Sequence, residues 1–96
     1  MTPEQLSKKY ATAIRVAVRQ FGEYSFDDKG PQEVMDLPIS EIKALSVDDA
    51  AETLRLVLEK DKKHGPRFIG AVLVDMQEWD HFDELLEKHK WLGDYY

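Results

Sequence analysis

The sequence predicts an all-α fold, a compact four- to five-helix bundle or an orthogonal helical domain. Apolar residues recur at helical spacing in four segments, and capping residues and glycines bound these segments. The one stretch that alternates like a strand, residues 23–27, has no partner strand. With 96 residues, 43% of them hydrophobic and 33% charged, residues 1–96 are expected to form a single domain.

The first predicted helix spans residues 3–21. Thr2 suits the N-cap, Pro3 suits the first helical position, and Gln5 can complete a capping box. Gly22 can end the helix. The apolar side comprises Leu6, Tyr10, Ala13, Ile14, Ala17, Val18 and Phe21. The opposite side is basic and comprises Lys8, Thr12, Arg15 and Arg19.

Residues 22–45 are predicted to be irregular or to form short helices. Tyr24 and Phe26 are expected to fill the core from a loop. Residues 31–35 and 38–45 could each form a short helical turn, since each segment starts with a proline and a proline suits the start of a helix.

The second long helix is predicted over residues 46–64. Ser46 suits the N-cap, with Asp49 at the capping-partner position three residues later. The pair His64 and Gly65 is expected to end the helix, because glycine commonly follows the last helical residue.

Two further helices are predicted over residues 66–78 and 81–92. The first is the most apolar segment of the chain, so we expect it at the centre of the bundle. Asp80 is expected to cap the second and Gly93 to end it, which leaves residues 94–96 as a tail.

The net charge of −6 is unevenly distributed. Residues 1–20 carry +3, and the remaining residues carry −9. Acidic surfaces are predicted over residues 23–36 and 75–87. An acidic body repels phosphate backbones and attracts basic protein surfaces, so the composition favours a protein partner and disfavours nucleic acid.

Residues suited to catalysis are scarce. The chain has no cysteine, no glycine-rich phosphate loop and no serine in a nucleophile motif. The six carboxylates between residues 75 and 87 fit the solvated sides of helices. We therefore predict that the protein is not an enzyme and needs no cofactor.

Two carboxylate–histidine pairs have the spacing found on metal-binding helices. These are Glu78 with His81, and Asp61 with His64. Both pairs fall at predicted helix ends, and no bridging glutamates accompany them. The sequence therefore predicts no metal site.

The candidate binding surface combines acidic and aromatic residues near the C-terminus. Carboxylates steer basic partners, and exposed tryptophan and tyrosine anchor interfaces. Phe26, Phe82 and Trp91 are assigned to the core, whereas Trp79 and the terminal tyrosines are assigned to the surface. The predicted partner-binding residues are Asp75, Glu78, Trp79, Asp80, Asp83, Glu84, Glu87 and Tyr95.

These features favour a small acidic protein-binding module. The most specific version of this hypothesis is an intracellular inhibitor, such as a bacterial immunity protein, that neutralises a basic toxin. A nuclease is one candidate for that toxin. The chain lacks an apolar signal core, and its longest apolar stretch, residues 68–74, is too short to cross a bilayer. We therefore expect a cytoplasmic protein without membrane contact.

Two alternatives remain open. The basic side of the first helix could serve a nucleic-acid-binding transcriptional regulator. An accessory subunit or homodimer could instead complete its core across an interface, using Leu56 and Val74, which lie off the main apolar stripes.

Overall fold

The computed structural model describes residues 1–26, 30–35 and 39–96, without the side chains of Gln32 and Met35. The elements are α1 (Pro3–Phe21), α2 (Pro31–Met35), α3 (Ser40–Lys43), α4 (Val47–Lys60), α5 (Gly65–Asp75), α6 (Phe82–Lys88) and a C-terminal 3-10 helix (Lys90–Asp94). The described residues include no strand. The predicted all-α fold is therefore confirmed as a small helical bundle.

Helix α1 begins and ends where the sequence predicts. The Gln5 N–H donates to Thr2 Oγ1 at 3.2 Å, and the Thr2 N–H donates to Gln5 Oε1 at 3.0 Å. This capping box satisfies two amides at the helix start. Gly22 ends the helix at φ 99°, a conformation that glycine adopts without strain.

The most extensive helix–helix contact joins α1 to α4. Buried side chains from α1, including Leu6 and Ile14, face buried side chains from α4, including Leu54 and Val57. Helix α4 starts at its predicted cap, where the Asp49 N–H donates to Ser46 Oγ at 3.1 Å. The apolar sides of α1 and α4 are buried against each other, and this burial stabilises the core.

Helix α4 ends at Lys60, earlier than the predicted residue 64. The backbone of Asp61 leaves the helical region, and its Oδ1 accepts a hydrogen bond from the His64 N–H at 2.9 Å. The predicted stop at Gly65 is also wrong, because Gly65 is the first residue of α5. A Cβ atom there would lie 3.3 Å from the Leu58 Cα, so glycine lets α5 begin against α4.

Helix α5 contacts α1, α2 and α4, consistent with the predicted central position. The Phe68 ring lies between the rings of Tyr10 and Phe26, with centroids 5.4 and 5.6 Å away. The helix ends at Asp75, before the predicted residue 78. It is followed by turns whose backbone hydrogen bonds join residues three positions apart, and Met76 in these turns is buried.

The predicted helix over residues 81–92 is interrupted. His89 adopts φ −122° and ψ 71°, which separates α6 from the 3-10 helix. Gly93 lies within the 3-10 helix and does not end a longer helix. The predicted cap is also wrong, because His81 and not Asp80 occupies the N-cap position, without a side-chain hydrogen bond to the helix.

The predicted tail, residues 94–96, packs against the bundle. Tyr95 is half-buried, and its carbonyl oxygen would lie 2.8 Å from a Cβ atom at Gly70. The Tyr96 ring centroid lies 5.4 Å from that of Phe82. Glycine at position 70 therefore leaves room for the C-terminal backbone to cross α5.

Aromatic burial follows the prediction in part. Phe26 and Phe82 are buried, as expected. Tyr24 is 63% exposed, so its predicted core role is wrong, and the Arg67 guanidinium lies over its ring at 4.2 Å. Trp91 is half-buried at the edge of the core and not enclosed within it.

Tyr10 provides a test of the packing. It is fully buried, and its hydroxyl has no hydrogen-bond partner among the described residues. Burial, and secondarily the Glu41 carboxylate, raises the pKa of this hydroxyl, which stays protonated. Since an unpaired buried hydroxyl costs about 1–3 kcal/mol, Tyr10→Phe should leave the free energy of unfolding unchanged or raise it.

Urea denaturation measures this effect. Tyr10→Ala, the control, should lower the free energy of unfolding by about 3–5 kcal/mol, because it leaves a cavity beside Phe68. A comparable loss in Tyr10→Phe would contradict the interpretation, since it would show that the hydroxyl stabilises the fold.

Candidate protein-binding surface

Five of the predicted binding residues are exposed on α6 or on the turn before it. Phe82 and Leu85 lie three residues apart and are buried, so they hold one side of α6 against the core. The other side faces water. We call this surface the acidic face; it comprises Glu78, Asp80, Asp83, Glu84 and Glu87, all of them exposed.

The carboxylates of the acidic face are almost uncompensated. His81 Nδ1 lies 3.7 Å from a Glu84 oxygen. The described part of the chain supplies no other ion pair to these five side chains. On α4, by contrast, Arg55 pairs with both Glu52 and Glu59. Among the described residues, α6 and the turn before it therefore carry negative charge that few cations of the fold neutralise.

The other three predicted binding residues are engaged within the fold. The carboxylate of half-buried Asp75 lies against the backbone of Gly30. Trp79 and Tyr95 are also half-buried and pack against the core, so their assignment to the surface is only partly correct. Trp79 remains at the edge of the acidic face, since its ring centroid lies 5.4 Å from that of His81.

The described acidic residues of the second predicted segment, residues 23–36, are not part of this surface. Glu23 is paired with Lys63. Glu33 is exposed on α2. The remaining acidic residues, Asp27, Asp28 and Asp36, lie outside the described residues.

A second acidic feature, which the sequence did not predict, is an open groove of about 400 Å³ beside the start of α4. Its lining residues are Asp48, Asp49, Ala51, Glu52, Arg55, His89 and Trp91. The sequence signal was the acidic first turn of α4, whose carboxylates also suit the helix dipole. The lining that the 3-10 helix provides through Trp91 could not be predicted from neighbouring residues in the sequence, because it depends on tertiary packing.

Asp48 connects α4 to the end of α6. Its Oδ1 lies 2.9 Å from His89 Nε2, and its Oδ2 accepts a hydrogen bond from Lys88 Nζ at 3.2 Å. We call this arrangement the Asp48 clamp. Hydrogen bonds from His89 and Lys88, together with their charge, lower the pKa of Asp48 below its ordinary value of 3.8. The clamp fixes the end of the helix that carries the acidic face.

The predicted Asp61–His64 pair belongs to a structural cluster. His64 Nδ1 lies 3.3 Å from Asp61 Oδ2, and Lys63 Nζ lies 2.7 Å from Glu23 Oε1. The Lys63 hydrogen bond lowers the pKa of Glu23, and the same bond raises the pKa of Lys63. This cluster joins the turn after α1 to the turn before α5. Across the described residues, no group of three or more acidic or histidine side chains could hold a metal ion.

The predicted basic side of α1 is exposed but partly neutralised. Lys8 lies 3.9 Å from Glu4, and Arg15 donates to the Thr12 hydroxyl at 3.4 Å. Arg15 and Arg19 have no ion pair with a described carboxylate. These two arginines are the cations on α1 that remain available to an external anion.

Comparisons with protein-family models, curated proteins and solved structures find no significant match to this chain. None of the helices in the described ranges is both long enough and apolar enough to cross a membrane. Function is therefore inferred from the side chains of this chain alone.

The Asp48 clamp predicts a pH-dependent contribution to stability. A carboxylate whose pKa is lowered by folding stabilises the fold above its unfolded pKa, and this contribution disappears as the pH falls through the folded pKa. Asp48→Asn should therefore lower the melting temperature at pH 7, and the difference from wild type should shrink as the pH falls below 3.8.

Asp49→Asn is the matched control, because Asp49 lies in the same first helical turn but outside the clamp. It removes the same favourable charge from the helix start. Thermal unfolding at several pH values compares the two variants. Equal melting temperatures for both at pH 7 would contradict the clamp.

Proposed function

We propose that this protein is a small acidic binding module that covers a basic surface of a protein partner. Its sharpest form is an intracellular inhibitor or immunity protein that neutralises a basic toxin, with a nuclease as the favoured candidate. The observation that carries the proposal is the uncompensated charge of the acidic face. Binding, and not catalysis, is the proposed activity.

The physical basis is electrostatic complementarity. Exposed carboxylates gathered on one surface raise the rate of encounter with a basic partner and orient its approach. Each carboxylate can accept two hydrogen bonds from an arginine guanidinium. Enzymes that bind nucleic acid present lysine and arginine to phosphate. A row of carboxylates competes for those same cations, and this chemistry favours a nuclease among basic partners.

Rigidity supports the same proposal. Phe82 and Leu85 anchor α6 to the core, and the Asp48 clamp holds its C-terminal end. A surface that is ordered before binding loses less conformational entropy on association. Half-buried Trp79 adds an aromatic edge beside the charges, and such side chains commonly contribute much of the binding energy.

Charge reversal on the acidic face tests the proposal. The partner is first captured from the producing cells with the purified chain and then purified. Glu78→Lys/Glu87→Lys changes two exposed residues outside the first turn of α6, so the favourable charges at the helix start remain. We expect the association rate to fall about tenfold or more at physiological salt.

Arg15→Glu/Arg19→Glu is the control for a general charge effect and should leave the association rate unchanged or raise it. Stopped-flow kinetics over a range of salt concentrations should show a steep decrease for wild type, because the Debye length is about 8 Å at physiological ionic strength. If the partner is a nuclease, wild type should inhibit it and Glu78→Lys/Glu87→Lys should not. A salt-independent association rate would overturn the proposal.

Nucleic-acid binding by α1 is the second candidate, because Arg15 and Arg19 are exposed and not ion-paired with described carboxylates. Two available arginines provide few phosphate contacts on a chain of charge −6. Fluorescence anisotropy with duplex DNA at low salt separates the candidates. Binding that Arg15→Glu/Arg19→Glu abolishes would support the second candidate against the first.

A further inference from the structure

The turn that joins α4 to α5 is basic, although the chain as a whole is acidic. Four of the 13 lysines and arginines lie in residues 60–67. Asp61 is the only acidic residue in that range, so the range carries +3 on a chain of net charge −6. Such a concentration of cations attracts small anions.

A small cavity opens beside this turn. Its volume is about 190 Å³, and its lining residues are Glu23, Tyr24, Lys63, His64 and Arg67. Pockets for drug-sized ligands measure about 300–1,000 Å³, so this cavity suits a smaller group. It shares no residue with the acidic face, so the two sites can be tested separately.

An internal carboxylate already lies among the cations of the cavity. Glu23 Oε1 lies 2.7 Å from Lys63 Nζ and 4.0 Å from His64 Nε2. The Lys63 hydrogen bond, and secondarily the charges of Lys63 and Arg67, lower the pKa of Glu23. The position of this carboxylate therefore favours an anion. Because Glu23 is exposed on the turn after α1, its side chain can rotate away without disturbing the core.

His64 has a ring nitrogen that the carboxylate of Glu23 does not satisfy. His64 Nδ1 lies 3.3 Å from Asp61 Oδ2. Because a carboxylate only accepts hydrogen bonds, Nδ1 carries the proton, and Nε2 of the neutral ring has a lone pair. Nε2 is buried and has no hydrogen-bond partner among the described residues. A ligand that fits this atom must offer a hydrogen-bond donor.

We infer that the cavity binds hydrogen phosphate, which displaces the carboxylate of Glu23. This anion combines negatively charged oxygens, which accept hydrogen bonds from Lys63 and Arg67, with an O–H group, which donates to His64 Nε2. Tyr24 positions one of these cations, since the Arg67 guanidinium lies over its ring at 4.2 Å. The site is separate from the protein-binding surface and goes beyond the proposed function.

Inorganic phosphate is the probe, and sulfate is the matched anion, because sulfate has the same shape but no O–H group. NMR titration of the backbone amides at pH 8 and constant ionic strength compares the two anions. We expect shifts at residues 63–68 and at least about tenfold tighter binding of phosphate, a difference of about 1.4 kcal/mol. Equal affinities, or no shifts at this turn, would overturn the inference.

Charge variants test the competition with Glu23. Glu23→Gln should tighten phosphate binding about fivefold, because it removes the internal carboxylate, and Lys63→Gln should weaken binding by a similar factor. Lys62→Gln is the matched control, since Lys62 is an exposed neighbour that does not line the cavity, and it should change the affinity less than about twofold. Weaker binding in Glu23→Gln, or equal effects of the two lysine variants, would contradict the assignment.

The role of His64 has its own readout, the preference for phosphate over sulfate. His64→Leu should remove this preference, because it removes the acceptor for the phosphate O–H group. His81→Leu, which changes an exposed histidine outside the cavity, should retain it. A preference that persists in His64→Leu would overturn the inference.

Discussion

The packing of α1 against α4 is the interaction on which the rest of the structure depends. These two long helices bury Ile14, Leu54 and Val57 between them and their neighbours. Helix α5 completes the core by placing Phe68 against Tyr10. Because the remaining elements are short, burial against this frame, and not intrinsic helix propensity, stabilises them.

The position of α6 on this frame explains the acidic face. A helix of seven residues is too short to be stable alone in water, so α6 depends on buried Phe82 and Leu85 and on the Asp48 clamp. Once those contacts fix one side of the helix, its carboxylates must face solvent. The same packing that folds the C-terminal region therefore exposes its negative charge.

Local signals in the sequence predicted the parts of the fold that depend on neighbouring residues. The capping box at Thr2, the cap at Ser46 and the stop at Gly22 were each predicted correctly. Signals that depend on distant contacts were misread. Gly65 resembled a helix stop, but it allows α5 to approach Leu58, which no local pattern reveals.

The candidate site shows the same division. The exposed acids follow from the burial of Phe82 and Leu85, whose spacing is visible in the sequence. The Asp48 clamp joins Asp48 to Lys88 and His89, which follow it in the chain by 40 and 41 positions, so only the tertiary structure reveals it. Tyr95 was predicted to be exposed because it is near the chain end, yet it packs across Gly70.

Native-state hydrogen exchange measures directly whether the α1–α4 pair is the most stable unit of the fold. Amides in the middle of α1 and α4 should exchange only through global unfolding, and amides of α6 should exchange through smaller openings of lower free energy. Amides of α6 that are protected as strongly as those near Ile14 and Leu54 would contradict this hierarchy, because α6 would then be part of the most stable unit.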